Sequence, residues 1–258
     1  MAKSKLIIPI ILFGLSCSAP KEPHQAESAR LDRLALQFKT ITEIADLQQL
    51  TDQQSDFEPF FGPQTGRVYF TRLISPVPAD GEERVDLEDK PYSIDINTGR
   101  LFIMTSPRPV PELPFVGPDS LPSISMETSE FGIRMPRGLY FNTSVDSPEH
   151  TMRIYMQAAD TLTQLTYGMN SAYLKAVSPD EHYLAFLYRE TALSLVILDL
   201  KTNTYYLVPK SADDAERHDF SPRFSDDGKY LVFLRAGDKY SRENIPYGDI
   251  WLIRFHQK

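Results

Sequence analysis

The frame Asp-Phe-x-Pro-x-Phe occurs twice in this chain, as DFEPFF from Asp56 and as DFSPRF from Asp219, and each copy runs without a gap into an apolar, strand-like segment. The first reads DFEPFFGPQTGRVYFTR and the second DFSPRFSDDGKYLVFLR, so Phe70 falls on Phe233 and Arg72 on Arg235. A degenerate third copy, YLKAVSPDEHYLAFLYR, places Val177 on Phe224 and Phe186 on Phe233, 47 residues upstream. Units repeating at such spacing cannot each bury an apolar face alone. They stack, and the chain is constrained to an array of small sheets.

Each repeat resolves into strands. An apolar segment ending in Phe or Val is followed by a turn, SDDGK at 225–229 or SPDEH at 178–182, whose Ser, Pro, Asp and Gly suit tight backbone reversal. Second strands follow as YLVFLR, YLAFLYR, RVYFTR and GLYFNTS, and third strands as DIWLIRF, LSLVILDL, MRIYMQA and PYSIDIN. RLFIMT, TLTQLT and TYYLVP supply fourth strands, two of them after turns at Asn97-Thr98-Gly99 and Lys201-Thr202-Asn203. Runs rich in Val, Ile, Leu, Tyr and Phe between turn clusters are what packed antiparallel sheets require.

The last sheet lacks its fourth strand, because the sequence stops at Lys258. The missing piece stands at the other end. Gln49-Leu50-Thr51 precedes the first full repeat and is identical to Gln164-Leu165-Thr166, the end of a fourth strand elsewhere. Pairing of Ala45 to Thr51 with the third strand around Ile250 to Arg254 would close a ring and remove both open edges. The expected fold is therefore all-β: a β-propeller of four blades of four antiparallel strands, closed by an N-terminal strand. The irregular interval between Phe70 and Phe141 is where a fifth blade would hide.

The stretches QQLTDQQSDFEPFFGPQTGRVYFTR and DFSPRFSDDGKYLVFLR, the latter followed by GDIWLIRF, resemble TolB-type β-propeller repeats of the WD-like kind. The pattern is a Leu-Thr, then Asp, Pro and Ser-Pro-Asp-Gly, then a strand and Asp-Ile-Trp. Asp226 stands where the usual Pro would be in the last repeat, and Glu181 replaces the usual Gly in the third. The second repeat, 112 to 168, keeps only the strand pattern. Proteins of this kind are envelope or periplasmic binding modules, or propellers fused to serine peptidases. The resemblance implies architecture, because the matching residues are turn and core positions.

The N-terminus carries a separate signal. Lys3 and Lys5 precede an apolar run from Leu6 to Leu15, which is followed by Ser16-Cys17-Ser18, a secretory pattern. A bilayer-spanning helix takes roughly 20 apolar residues, more than this run offers. Gly14-Leu15-Ser16-Cys17 resembles a bacterial lipobox, with Gly where Leu is usual, and the resemblance implies cleavage before Cys17 and its lipidation. A chance cysteine behind an ordinary cleaved signal is the alternative. On this reading residues 1–16 are the signal and 17–40 hold the lipid-attachment Cys17, a polar tether and a short helix around Leu31, Leu34, Leu36 and Phe38. Residues 41–258 form the propeller. Ser18 in place of Asp after the cysteine reads as outer-membrane sorting, with the domain facing the periplasm.

Charge limits the partners. The chain has 27 basic and 35 acidic residues, and losing Lys3 and Lys5 leaves 25 against 35. A nucleic-acid partner would need a basic face, so none is expected. Cys17 is the sole cysteine, which leaves neither a disulfide framework nor a cysteine metal site within the chain. Asp180, Asp226 and Asp227 are turn formers without the D-x-D-x-D-G spacing and closing Glu of a calcium loop. There is no G-x-S-x-G elbow, H-E-x-x-H pair or phosphate-binding glycine loop. His24, His150, His182, His218 and His256 are scattered, so catalysis has no support, and neither a catalytic residue, a metal nor a cofactor is assigned. Trp251, inside an apolar strand, reads as a blade-to-blade packing residue.

Three insertions remain that the fold does not need. Residues 106–122, SPRPVPELPFVGPDSLP, hold six prolines, a density that favours an extended stretch over a strand in a ladder. They would present Val110, Leu113 and Phe115 as a partner-binding loop, or act as a strap across the propeller face or between blades. Residues 76–90 and 236–248 are polar and charged, and read as projecting loops. The expected function is a non-catalytic cell-envelope lipoprotein, membrane-anchored by its lipid, that binds an envelope protein or periplasmic component. The alternative is a central channel that binds or acts on a small ligand such as a saccharide or peptide.

Overall fold

Strands of the computed structural model, which describes residues 37–62, 64–74, 88–105, 115–116, 128–144, 151–169, 171–189, 192–240 and 246–256, fall into three hydrogen-bonded sheets, the largest of which joins two four-stranded antiparallel runs where Gly248 stands opposite Asp56. In chain order they are β1 (Lys39–Thr40), β2 (Ala45–Gln49), β3 (Asp56–Phe61), β4 (Arg67–Ile74), β5 (Glu88–Asp95) and β6 (Leu101–Ile103). Then come β7 (Phe115–Val116), β8 (Thr128–Met135), β9 (Gly138–Thr143), β10 (Arg153–Ala158), β11 (Thr161–Gln164) and β12 (Ala172–Val177). The series ends with β13 (Tyr183–Arg189), β14 (Leu193–Asp199), β15 (Thr204–Leu207), β16 (His218–Phe224), β17 (Tyr230–Tyr240) and β18 (Pro246–Phe255). Blade one is β3-β4-β5-β6, blade two β8-β9-β10-β11, blade three β12-β13-β14-β15 and blade four β16-β17-β18-β2. The molecule is a β-propeller. Part of the interval between Phe70 and Phe141, where a further blade would fall, lies outside the described residues.

The N-terminal strand completes the last blade as its sequence phase requires. β2 pairs antiparallel with β18, Trp251 opposite Gln49 through Phe255 opposite Ala45. The two Gln-Leu-Thr segments repeat one geometry. Gln49 Nε2 donates to the Thr51 carbonyl at 2.8 Å and Gln164 Nε2 to the Thr166 carbonyl at 2.7 Å. Leu50 N–H donates to Ile250 O and Leu165 N–H to Ile154 O, both at 2.8 Å.

First strands are innermost, since β8 meets β12, β12 meets β16 and β16 meets β3. Both faces of a blade are covered, which is why the second and third strands read as unbroken apolar runs rather than alternating ones. Leu231 and Phe233 turn to blade three, where they join Ala185, Leu195 and Ile197. Val232, between them, turns to blade one with Val68, Phe70, Tyr92 and Ile94. Ile133, Tyr140 and Ile154 of blade two pack on Leu174, Leu184 and Phe186 of blade three. Trp251 is part-buried against the cluster between blades three and four, with its ring 6.5 Å from that of Phe233.

The turns follow from their residues. Ser225 Oγ accepts the Tyr230 N–H and bonds Asp227 Oδ1 at 2.7 Å; Ser178 Oγ accepts the Tyr183 N–H and bonds Asp180 Oδ1 at 2.6 Å. Gly228, at φ 68°, supplies the left-handed residue of the first turn, and Glu181, at φ 52°, that of the second. Of the expected helix near Leu31 to Phe38, only Gln37 and Phe38 are described. Its ring lies 5.4 Å from Tyr188, beside β1, which adds in parallel to the outer edge of β15.

Candidate functional site

Antiparallel order puts the first-to-second turns at one end of every blade and the second-to-third connections at the other. At the latter end β4 stops at Ile74 and β5 starts at Glu88, while β17 stops at Tyr240 and β18 starts at Pro246. The exit from β6 at Ile103 and the entry to β8 at Thr128 lie there too. The three insertions singled out in the sequence thus leave from one end of the propeller, which we call the loop-bearing end. The third is not the loop expected over 236–248, since Ala236 to Tyr240 continue β17 and Pro246 to Gly248 begin β18, with Tyr240 opposite Pro246, and residues 241–245 lie outside the described residues.

Ion pairs of repeated design occupy that end. Asp56, at the start of β3, faces Arg72 near the end of β4, and Asp219 faces Arg235 in the same register of blade four. Arg72 Nε and Nη2 reach the two Asp56 carboxylate oxygens at 2.5 and 2.9 Å. Arg235 Nε and Nη2 reach those of Asp219 at 2.7 and 3.3 Å, and Arg235 Nη1 donates to the Pro209 carbonyl at 3.1 Å. Two parallel N–H···O bonds fix orientation as well as charge. Burial separates the two copies, for the Arg235 side chain is 1 % exposed and that of Arg72 is 15 % exposed. The bond from Asp56 raises the Arg72 pKa further above its ordinary value, against a smaller opposing effect of burial. Blade three has Ala172 opposite Tyr188 at this position and blade two has Thr128 opposite Thr143, so neither carries the pair.

Around Asp219 and Arg235 the network passes from blade to blade. Asp219 Oδ2 accepts the Leu195 N–H of blade three at 2.9 Å, and Asp249 Oδ1 accepts the Gln54 N–H ahead of blade one at 2.8 Å. Arg217 spans Asp214 and Asp249, each at 2.9 Å, and donates to the Arg235 carbonyl. Lys210 Nζ donates to the Leu193 and Arg217 carbonyls, and burial pulls its pKa below the ordinary lysine value. His218 Nδ1 accepts the Leu193 N–H at 3.0 Å while Asp219 faces Arg235, so these sequence neighbours serve different partners. Every acid in this group is matched to a base or a backbone donor. The arrangement locks blades together and holds the loop-bearing end rigid.

Toward the axis the first strands all bulge: between Phe57 and Phe60, between Thr128 and Gly132, between Leu174 and Ala176, and between Phe220 and Arg223. Glu58 and Ser221, each just before a proline, have φ of 50° and 48°. A bulge adds a residue on one strand and re-aims the side chains beyond it. Burial lowers the Arg223 pKa, with the charge of Glu58 on the neighbouring blade opposing. Glu58 itself is exposed.

Phe115 and Val116 form β7, which pairs with the inner edge of β8, Phe115 opposite Ile133 and Val116 opposite Gly132. This corrects the expectation that prolines keep the whole segment out of a ladder: Phe115-Val116-Gly117 is one of its two three-residue stretches between prolines, and two of those residues pair. Val110, Leu113 and Cys17 lie outside the described residues. The repeats align Arg72 with Arg235, and the shared offset of 16 residues from Asp56 and from Asp219 is the signal in the sequence that marks the pair. Arg217, Asp214 and Lys210 gave none, since they fall outside the repeat.

At the opposite end Glu181, 4 % exposed, links blades three and two. Its carboxylate accepts the Tyr140 O–H at 2.7 Å and the Arg137 N–H at 2.9 Å. Burial, and then the bond to Glu181, push the Tyr140 pKa well above the ordinary tyrosine range. His182 Nε2 lies 3.3 Å from Asp199 Oδ1, and the His182 ring stacks on Tyr183 at 4.2 Å. Burial, with a smaller contribution from Asp199, pushes the Tyr183 phenol up to about 12.

No family model and no curated protein matches the chain. Among solved structures it is similar to TolB from Acinetobacter baumannii, at 17 % identity and a TM-score of 0.35, over 81 % of this chain and 45 % of that one. A putative TolB from Agrobacterium tumefaciens gives 10 % identity and a TM-score of 0.39, over 83 % of this chain and 69 % of that one. A calcium-binding protein, regucalcin, from Agrobacterium tumefaciens gives 11 % identity and a TM-score of 0.31, over 81 % and 94 %. The chain thus spans less than half the length of the first of these.

Proposed function

We propose that this chain is a non-catalytic cell-envelope lipoprotein, tethered through Cys17 to the outer membrane on its periplasmic side, whose propeller binds an envelope protein or periplasmic component. The observation that carries the reading is the common origin of the three insertions at one rigid end. A hydrogen-bonded scaffold whose insertions leave from one side is the usual geometry of a recognition surface. Among the described residues, Asp56, Asp214, Asp219 and Asp249 at that end are each held by an arginine, which favours a structural role for them over acid–base chemistry. Val110, Leu113 and Phe115 are the residues assigned to partner contact.

Crosslinking in intact cells, followed by capture of the tagged protein from the membrane fraction, tests this reading. A defined partner should be recovered with the parent chain and lost both with Cys17→Ser and on deletion of residues 107–118. Membrane retention of the Cys17→Ser protein would remove the anchor, and undiminished capture by the deletion variant would remove the loop. A channel that takes a small ligand such as a saccharide or peptide is favoured by one observation, the Glu58 and Arg223 charges on adjoining innermost strands. It would be supported if Glu58→Ala and Arg223→Ala each abolished binding of a ligand that the loop deletion leaves untouched.

A further inference from the structure

The outer edge of blade one is built differently from that of blade three. On β6, Asp95 N–H donates to Arg100 O and Pro91 O accepts from Met104 N–H, both at 3.0 Å. Alternation along an antiparallel pair then turns Phe102 toward β5, opposite Ser93, and leaves the N–H and C=O groups of Leu101 and Ile103 pointing outward. Among the described residues β6 has one partner, β5. The same two residues are 40 % and 65 % exposed; among the described residues the other large apolar side chain so exposed is Leu162 of β11, at 44 %, which stands singly, whereas Leu101 and Ile103 lie side by side on one face.

These side chains extend a buried row. Leu101 lies beside Ile94 and Val68, and Ile103 beside Tyr92 and Phe70, on the face packed against blade four. Phe102 points to the opposite face, where Arg67 and Arg100 sit over its ring at 4.2 and 5.1 Å. A strand added here would meet apolar side chains at alternate positions on one face and two guanidinium groups on the other. At blade three the equivalent edge, β15, already carries an extended segment of this chain, Lys39–Thr40.

We propose that β6 is a strand-addition site for an extended segment of a partner protein in which apolar residues alternate with acidic ones. Charge selects the acidic residues through Arg67 and Arg100, and period-two alternation places them opposite the apolar ones. A second copy of the chain fits less well, because a three-residue edge falls far short of the roughly 1,200 Å² that a stable interface buries. The site lies on the rim, apart from the loop-bearing end, and stands whether or not that end meets a partner.

Fluorescence anisotropy on the full chain in detergent micelles, with a labelled probe peptide of alternating valine and glutamate, tests the site. Saturable binding is expected, at least tenfold tighter than for a valine–lysine probe. Ile103→Pro removes an outward N–H and trims a mostly exposed apolar side chain without touching a bond to β5, and should weaken binding at least tenfold with the cooperative unfolding transition retained. Arg100→Glu, at an exposed position, should reverse the preference between the two probes. Absence of saturable binding, or indifference to both substitutions, overturns the proposal. So does a dimer in sedimentation that Ile103→Pro dissolves, which would make a second copy the occupant.

Discussion

The hydroxyl of Thr51 accepts the backbone N–H of Ile250 at 2.9 Å, so one hydrogen bond between residues 199 apart in sequence fastens the N-terminal strand to the last blade. Thr166 does the same for Ile154 within blade two, also at 2.9 Å. Both threonines are buried, at 7 % and 0 % exposure. Removing either oxygen leaves a buried donor without its partner.

Thr51→Ala and Thr166→Ala should therefore each cost about 1–3 kcal/mol, read as a lower urea midpoint at unchanged slope. Thr51→Ala has a further effect. It loosens the strand that covers the outer edge of β18, so exchange of the Leu252 and Arg254 amides, which face β2, should quicken, while Thr166→Ala leaves those amides protected. Equal exchange in both variants would mean that β2 does not depend on this bond.

The paired repeats make a second prediction. Asp219→Ala strands a buried guanidinium and should cost about 3–5 kcal/mol. Asp56→Ala should cost less, because Arg72 retains access to solvent. Adding Arg235→Met to Asp219→Ala should recover only part of the loss, since the Leu195 N–H of blade three also loses its acceptor. A double-mutant cycle in urea measures this, and full recovery would mean that the interblade bond contributes nothing.

Glu181 tests how a departure from the repeat is maintained. Gly228 occupies the corresponding left-handed position in the last blade at no steric cost. Glu181→Gly relieves the backbone but leaves the buried Tyr140 O–H without its acceptor. The net effect should be a loss of about 1–2 kcal/mol, smaller when Tyr140→Phe is already present, where only the Arg137 N–H loses its acceptor. A gain in stability from Glu181→Gly alone would mean that the backbone term prevails.

That case marks the limit of what the sequence made legible. Strand order, the turns at Ser178 and Ser225 and the pairing of β2 with β18 were readable, because apolar runs and the turn residues that bound them act locally and the repeated Gln-Leu-Thr betrays the phase. The lock at Glu181 was not. From sequence it reads as a turn glycine lost to drift, whereas its value lies in a tyrosine 41 residues away on another blade. Arg217 bridges Asp214 and Asp249 for the same reason unseen: partners 3 and 32 residues off have no shared period. The Pro-rich segment was read as unpaired from its composition, but proline forbids donation only at its own nitrogen, and Phe115-Val116 falls between prolines.

Acid stability follows from Asp199. Burial alone would raise its pKa, but N–H donation from Thr202 and Lys201 prevails and holds it below the ordinary carboxylate value, with His182 adding to the same side. In the unfolded chain the group regains that ordinary value, so between the two the unfolded state binds more protons and stability rises with pH. The contribution is complete above the unfolded pKa, about 4, and is lost as pH falls through the folded one. Asp180 and Asp227 act in the same direction from exposed turns, where solvent screens most of the effect. Urea midpoints measured from pH 6 down to pH 3 should therefore fall, and Asp199→Asn should start lower at pH 6 and decline less steeply. A parallel decline in the two proteins would assign the acid loss to other carboxylates.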